Sequence, residues 1–450
     1  MLGKRTVRIS FAVFVILGVG VLAGTYVAAE TASSADIGEQ TTRPVSEREA
    51  VVGERNDTTI FSTAPRGTTD GALVAYDGDG RTQYYNNTYT HYFDVDPVSG
   101  TGDTVEYVAG EDLSAPECPA KAPEGCTRIV VERVNLTTGE SERLLTRYSR
   151  KAVWHDVDRL NETHLLVGDI GRDSVHVVDT ESGIVEWSWD AQSAIPLEEG
   201  GVFPADWTHL NDVEYVGDGR IMASLRNQDK VVFVDMEDGL QEDWTLGEDD
   251  EFDTLHEQHN PDYIPEEQGG PAVLVADSEN NRVVEYQRED GEWIQTWEYQ
   301  DSRIQWPRDA DRLPNGHTLI TDSDGNRVFE IDESSEIVWS AETDTPYEAE
   351  RLGTGDESAG GQSAARLELE SKTAEDVTRE SSATERLRQF LKRAYPSLVL
   401  NGLVFMFPPW VGPIEVTVIL GLGAALLVWT AVELRWRGWG VSIDIRRPEE

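Results

Sequence analysis

Between residues 151 and 345 the chain alternates apolar and polar residues in short runs and shows no helical stripe. Residues 213–215 and 221–225 alternate on either side of Gly217-Asp218-Gly219, which predicts two antiparallel strands joined by a tight turn. The arrangement returns with a period of about 50 residues. Its units open at WHDVDRL (154–160), HLNDVEYV (209–216), HNPDYIP (259–265) and PRDADRLP (307–314), each continuing into an apolar strand, a polar turn and a strand ending near an acid. A last strand in each unit carries tryptophan: Trp187 and Trp189, Trp244, Trp293 and Trp297, and Trp339. Residues 71–150 hold similar strands at 72–76, 90–95, 104–108, 128–134 and 142–148. Four short antiparallel strands per unit, repeated, predict an all-β six-bladed β-propeller over residues 65–350, with five and seven blades also compatible.

The flanks follow another pattern. Residues 10–29 are an apolar run preceded by Lys4, Arg5 and Arg8, either a membrane anchor or a long signal peptide with Ala28-Ala29 as a candidate cleavage point. A second run, 416–432, is followed by Arg435, Arg437, Arg446 and Arg447. Basic residues beyond the outer end of both runs predict transmembrane helices at 10–29 and 414–434. Both termini (1–9 and 435–450) are then cytoplasmic, and the propeller is extracellular at the cell membrane. Residues 30–64 read as a tether, 351–384 as an acidic Ser/Gly-rich linker and 385–413 as an amphipathic segment at the membrane interface. The sequons at Asn56, Asn86, Asn135 and Asn161, and a disulfide between the only two cysteines, Cys118 and Cys126, fit an outside location.

Charge narrows the partners. The chain has 38 basic against 84 acidic residues, a net charge of -46, and only six lysines. With no basic stripe, nucleic-acid binding is excluded, and the acidic surface suits a halophilic protein hydrated in concentrated salt. Neither metal nor cofactor is expected, because no Cys/His zinc spacing, Gly-rich phosphate loop or serine nucleophile elbow is present. The glycine of Asp322-Ser-Asp-Gly-Asn falls at the wrong place for a helical-hand calcium loop, and turn chemistry explains that run better.

The repeats themselves pick out candidate chemistry. Aligning the blade openings places His155, Asn211, His259 and Arg308 in one slot, with His209 two residues ahead of it, and equivalent positions converge around a propeller's axis. The slot of Arg226 holds Ile170, Ser278 and Ser323 elsewhere, preceded by Asp169, Asp277 and Asp322 where this blade has Leu225. Arginine is therefore off the template at this position. A guanidinium fork beside histidines at one mouth suits an anionic tetrahedral group. His256 lies close to His259 in the chain and is assigned no chemistry.

Asp206-Trp-Thr-His-Leu-Asn followed by Ser224-Leu-Arg-Asn-Gln resembles the core motif of the arylsulfate sulfotransferase family, and Trp154-His-Asp and Glu257-Gln-His-Asn are similar to further parts of it. The resemblance covers roughly residues 150–345. It implies a six-bladed propeller that moves a sulfuryl group from a phenolic sulfate donor to a phenolic acceptor without a nucleotide. It further implies that His259 becomes transiently sulfated, while His155, His209 and Arg226 hold the sulfuryl oxygens and assist the leaving group. Asn211, Arg308, Trp207 and Trp154 are the candidate substrate-binding residues. There is no room for the N-terminal β-sandwich of the bacterial enzymes, and the C-terminal anchor is extra. The alternative is a non-catalytic cell-surface propeller that binds a protein or glycan, to which the Asn281-Arg-Val and Asn326-Arg-Val turns would lend themselves.

Overall fold

A computed structural model of the chain describes residues 3–32, 37–67, 69–119, 121–150, 153–374, 376 and 382–438. From Thr59 to Arg351 the chain folds into six four-stranded antiparallel sheets. Their innermost strands are His91–Pro97, Asp156–Arg159, Leu210–Gly217, His259–Ile264, Pro307–Arg312 and Pro346–Arg351, and these touch in cyclic order around a central channel. This is the all-β six-bladed propeller that the alternation predicted. The ring closes by pairing its last strand, Pro346–Arg351, with its first, Thr59–Thr63. The first strand thus begins inside the segment read as a tether. Its five residues are too few to show a period, and it sits between Ala72–Tyr76 on one side and the closing strand on the other.

Apolar side chains fill the six seams between neighbouring blades. The turns between second and third strands explain several polar repeats. Asp173, Asp229, Asn281 and Asn326 have φ of 53°, 54°, 54° and 55°, the left-handed region that Asp and Asn tolerate best after glycine. In two of these turns an arginine folds back on the template aspartate, with Arg282 Nε 2.7 Å from Asp277 and Arg327 Nε 2.9 Å from Asp322. Tryptophans lie on the outer strands as expected, except Trp244. There the outer strand is only Gly239–Leu240, and Trp244 closes a short 3-10 turn against Phe233, with ring centroids 5.3 Å apart.

The helices Ala383–Ala394 and Ser397–Phe405 follow, the first opened by a Ser382/Glu385 capping box. They belong to the same compact unit as the propeller, Ala35–Pro409. The other unit joins Met1–Ser34 to Trp410–Glu450. Its helices Lys4–Ala28 and Pro413–Trp436 are each long and apolar enough to cross a membrane. They pair antiparallel, with Phe11 against Trp429 at 5.7 Å, Tyr26 against Trp410 at 5.6 Å and an Arg8–Glu433 ion pair. Arg446 and Arg447, with the rest of the tail from 439, lie outside the described residues. Cys118 and Cys126 are joined as a disulfide.

Candidate active site

The backbone builds the mouth before any side chain does. His209, Glu257, Trp306 and Thr345 have φ of 49°, 48°, 53° and 48°, and each precedes by two residues one member of the slot: Asn211, His259, Arg308 and Tyr347. Left-handed backbone at a side-chain-bearing residue costs about 1–2 kcal/mol, so four such kinks at one ring position are a built feature rather than accident. Pairing then distinguishes the blades. Register slips past Asn211 and Arg308, whereas in the fourth blade it slips between His259 and Asp262, leaving His259 paired opposite Ala276. His259 therefore stands at the start of its bulge, whereas Asn211 and Arg308 lie within theirs.

Three of the predicted histidines meet here. His155 and His209 are edge-on at 5.5 Å between ring centroids, and Tyr347 lies 5.7 Å from His155 and 6.2 Å from His259. Phe93 packs on His155 at 4.1 Å, and Trp306 stands 6.3 Å from His259. Arg308 lies over both Trp306 and Tyr347, 4.4 and 4.7 Å from their centroids. It is 8 % exposed and forms no ion pair among the described residues. A buried guanidinium with no carboxylate beside it is costly unless an anion visits it.

Hydrogen bonds fix the protons. His259 Nδ1 lies 3.2 Å from the carbonyl oxygen of Glu257 and 2.9 Å from Ser278 Oγ. The carbonyl can only accept, and the Ser278 hydroxyl donates to Pro307 O at 2.7 Å. Nδ1 must therefore carry the proton, which leaves the Nε2 lone pair free. Likewise, His209 Nδ1 faces Asp206 Oδ1 at 2.8 Å and donates to it. His155 Nδ1 meets the Tyr347 hydroxyl at 3.2 Å.

Charge keeps these rings neutral. Burial, then the positive charges of Arg308 and Arg226, hold His259 well below the usual histidine range. Burial and the His209 ring do the same to His155. His209 is pushed down to about 4, chiefly by burial and Arg226, against the upward pull of Asp206.

Other expectations fare differently. Arg226 reaches the mouth, and its charge acts on all three histidines, but its fork is engaged by Glu257 in an ion pair, with Nε left over. Asn211 is buried and donates to Gln258 O at 3.0 Å, with its own Oδ1 unpartnered. Trp207 and Trp154 are not in the mouth. Trp207 is fully buried among seam residues with its indole donating to Glu199 O, and Trp154 packs in the next seam edge-on to His176. Both precede the strands Asp156–Arg159 and Leu210–Gly217, and closeness in the chain to the slot did not show that they pack into the seams. His256 stacks on Phe252 at 4.1 Å. Tyr347, Trp306, Phe93 and Ser278 were missed. Tyr347 was legible in PYEAER, which repeats the PRDADR pattern in the closing blade.

The helix Ser397–Phe405 forms one wall. Phe405 packs on Trp306 at 5.4 Å, Asn401 donates to Glu279 at 3.0 Å, and Arg66 donates to Val404 O and Phe407 O at 2.6 and 3.0 Å.

Residues 174–344, the stretch that carries His209, Arg226, His259 and Arg308, match a family model described as Arylsulfotransferase (ASST). That match supports the arylsulfotransferase family over this stretch of the chain. The match supports aryl sulfotransferase activity broadly and, with it, an aryl sulfate donor and a phenolic acceptor. No curated protein matches the chain. Among solved structures it is similar to a putative 6-phosphogluconolactonase from Bacteroides fragilis, at 11 % identity over 65 % of this chain and 97 % of that one, with a TM-score of 0.45. It is similar also to a periplasmic gluconolactonase from Pseudomonas aeruginosa, at 12 % identity over 66 % and 99 %, with a TM-score of 0.45. At that distance neither likeness bears on this chain's chemistry.

Proposed function

We propose that the protein moves a sulfuryl group from an aryl sulfate ester to a phenol through a sulfated His259. The observation that carries this is the proton locked on His259 Nδ1 beside Glu257 O and Ser278, with an unpaired Arg308 in the same mouth. A neutral imidazole with its Nε2 lone pair free is a competent nucleophile, and a covalent intermediate splits one hard transfer into two.

In the first step Nε2 of His259 attacks sulfur, a nitrogen–sulfur bond forms, and the ester sulfur–oxygen bond breaks with its electron pair leaving on the phenolate. Arg308, Arg226 and His155 donate to the sulfuryl and leaving oxygens as charge builds there. In the second step the acceptor phenol gives its proton to His209 Nε2 and attacks sulfur, and the electron pair returns to His259. That proton balances the one the departing phenolate takes up. Asp206 holds His209 in the tautomer this requires. No nucleotide and no cofactor enter.

The binding-propeller alternative loses its main support, because Arg282 and Arg327 of the Asn-Arg-Val turns are bound to Asp277 and Asp322. The test is turnover. The full chain, purified in detergent and concentrated salt, should release phenolate from a chromogenic aryl sulfate over many turnovers only when a phenol acceptor is supplied, and no more than about one equivalent per chain without it. Arg226→Lys should slow this strongly while leaving the fold intact. Specific binding of the ester without turnover, under any salt or acceptor, contradicts the reading.

We also propose that the paired terminal helices anchor the propeller outside the membrane, with the 385–413 segment at the interface. Protease added to intact cells should then digest the propeller; full protection reverses the orientation.

A further inference from the structure

On the inner strands, the positions next to the slot are acidic blade after blade: Asp94, Asp156, Asp212, Asp309 and Glu348 each follow a slot residue directly. A second acid two residues further along recurs on five of the six strands, as Asp96, Asp158, Glu214, Asp311 and Glu350, and Asp262 takes that place on the sixth. These carboxylates line the channel and are buried or nearly so. From beyond the last strand, the loop holding Asp356 and Glu357 joins them, with Ser358 donating to Asp262.

One oxygen of several of these carboxylates has an evident structural role. Inner strands expose unpaired N–H groups along the channel edge. Asp94 accepts from Val157 N at 3.1 Å, Asp158 from Tyr215 N at 2.8 Å, Asp309 from Ala349 N at 2.9 Å and Glu348 from Val95 N at 3.0 Å, each reaching across to the next blade. The acids thus stitch the ring shut. Stitching needs a single oxygen, and an amide would serve as well.

Glu348 Oε2 accepts from Asn260 Nδ2 at 3.3 Å, but several of the other oxygens are unaccounted for. Asp94 Oδ1, Asp212 Oδ2, Asp262 Oδ1 and Asp311 Oδ2 have no hydrogen-bond partner, although Asp94, Asp212, Asp262 and Asp311 are all 2 % exposed or less. Two groups converge most tightly. Asp94, Asp96 and Glu348 present oxygens within 4.8 Å of one another, and so do Asp262, Asp309 and Asp311. Oxygens on a shared cation at 2.3–2.6 Å lie at most about 5 Å apart, so both groups match the span of one hard ion. Without such an ion, like charges this close in a dry channel cannot all be ionised. Burial and neighbouring acids accordingly raise Asp94, Asp96 and Asp311 well above the usual carboxylate range.

We propose that the central channel binds divalent cations, calcium or magnesium, at two three-carboxylate sites: Asp94, Asp96 and Glu348, and Asp262, Asp309 and Asp311. All-carboxylate oxygen sets suit these hard cations and not soft transition metals. The ions neutralise the floor of a mouth that would otherwise repel an anionic ester, and they brace all the blades that contribute ligands.

The experiment uses the full chain in detergent and 2 M KCl, which holds screening and monovalent competition constant. Elemental analysis after gel filtration should find about two divalent ions per chain. EDTA should lower Tm by about 5 °C or more, and calcium or magnesium chloride, but not extra KCl, should restore it. Asp94→Asn and Asp311→Asn, nearly isosteric, should each lose one ion. Wild-type protein that carries no divalent ion and whose Tm ignores EDTA overturns the proposal without reference to any variant. Ions retained by both variants would lie elsewhere and overturn the assignment. Sulfuryl transfer is not the readout, so the result stands whatever the fate of His259.

Discussion

Replacing Arg308 by methionine separates a catalytic cation from a structural one. The side chain lies 4.4 Å over Trp306 and 4.7 Å over Tyr347, and no carboxylate pairs with it among the described residues. Methionine keeps the unbranched stem and apolar bulk but loses two cation–π contacts, about 1–2 kcal/mol each when desolvated. Against that, it removes a buried unpaired charge whose effective desolvation penalty is about several kcal/mol. The two nearly cancel or leave the variant ahead by about 1–2 kcal/mol, a Tm unchanged or raised by about 2–6 °C. Activity should move the other way. Losing preorganised donors to the sulfuryl oxygens costs about 3–4 kcal/mol of transition-state stabilisation, a fall of about 10²–10³ in kcat. Arg308 is also the largest charge acting on His259 after burial. Its removal should raise the His259 pKa and shift the acid limb of kcat/KM to higher pH. Thermal melts and a chromogenic aryl sulfate assay on the same preparation measure both. A clear loss of stability with less than a tenfold loss of rate would show that Arg308 holds the fold rather than the substrate.

Other expectations follow from the same geometry. Tyr347→Phe removes the hydroxyl 3.2 Å from His155 Nδ1, a loss of about 1 kcal/mol that should lower kcat about five- to tenfold with the melt unchanged; an unaltered kcat would remove Tyr347 from the site. Because His209 is pushed down to about 4 and His155 and His259 are also lowered, all three stay neutral well below the usual histidine value. A pH–rate profile should then be flat from about 6 to 8 and fall only on further acidification, whereas an inflection near 6.5 would place the essential histidine in water. With a net charge of -46, desalting should lower Tm by unscreening acid–acid repulsion, and a melt indifferent to salt would count against salt adaptation.

The fold was legible because a propeller writes itself many times. Each blade repeats apolar strands at one spacing, so errors in one unit are corrected by the others, and the slot of His155, Asn211, His259 and Arg308 emerges from that register alone. What stayed hidden was non-local or non-repeating. Thr59–Thr63 is too short to show a period, and its place in the blade is set by pairing on one side with Pro346–Arg351 at the far end of the domain. Trp154 and Trp207 lie near the mouth in sequence but pack into the seams between blades, which closeness in the chain does not reveal. Ser278 looked like a template residue, yet it accepts the proton that orients His259. The channel acids were visible as an alternating pattern, but their convergence needs six strands at once, which no single blade shows.

The central claim is that His259 carries the sulfuryl group, and trapping the intermediate tests it directly. The enzyme is mixed with an aryl sulfate in the absence of acceptor, quenched under alkaline conditions and digested, and the modified residue is located by tandem mass spectrometry. One sulfuryl group on the ring nitrogen of His259, discharged when a phenol is added before the quench and absent in His259→Ala, is the predicted result. A sulfuryl group on His256, His209 or His155, or full transfer by His259→Ala, contradicts it.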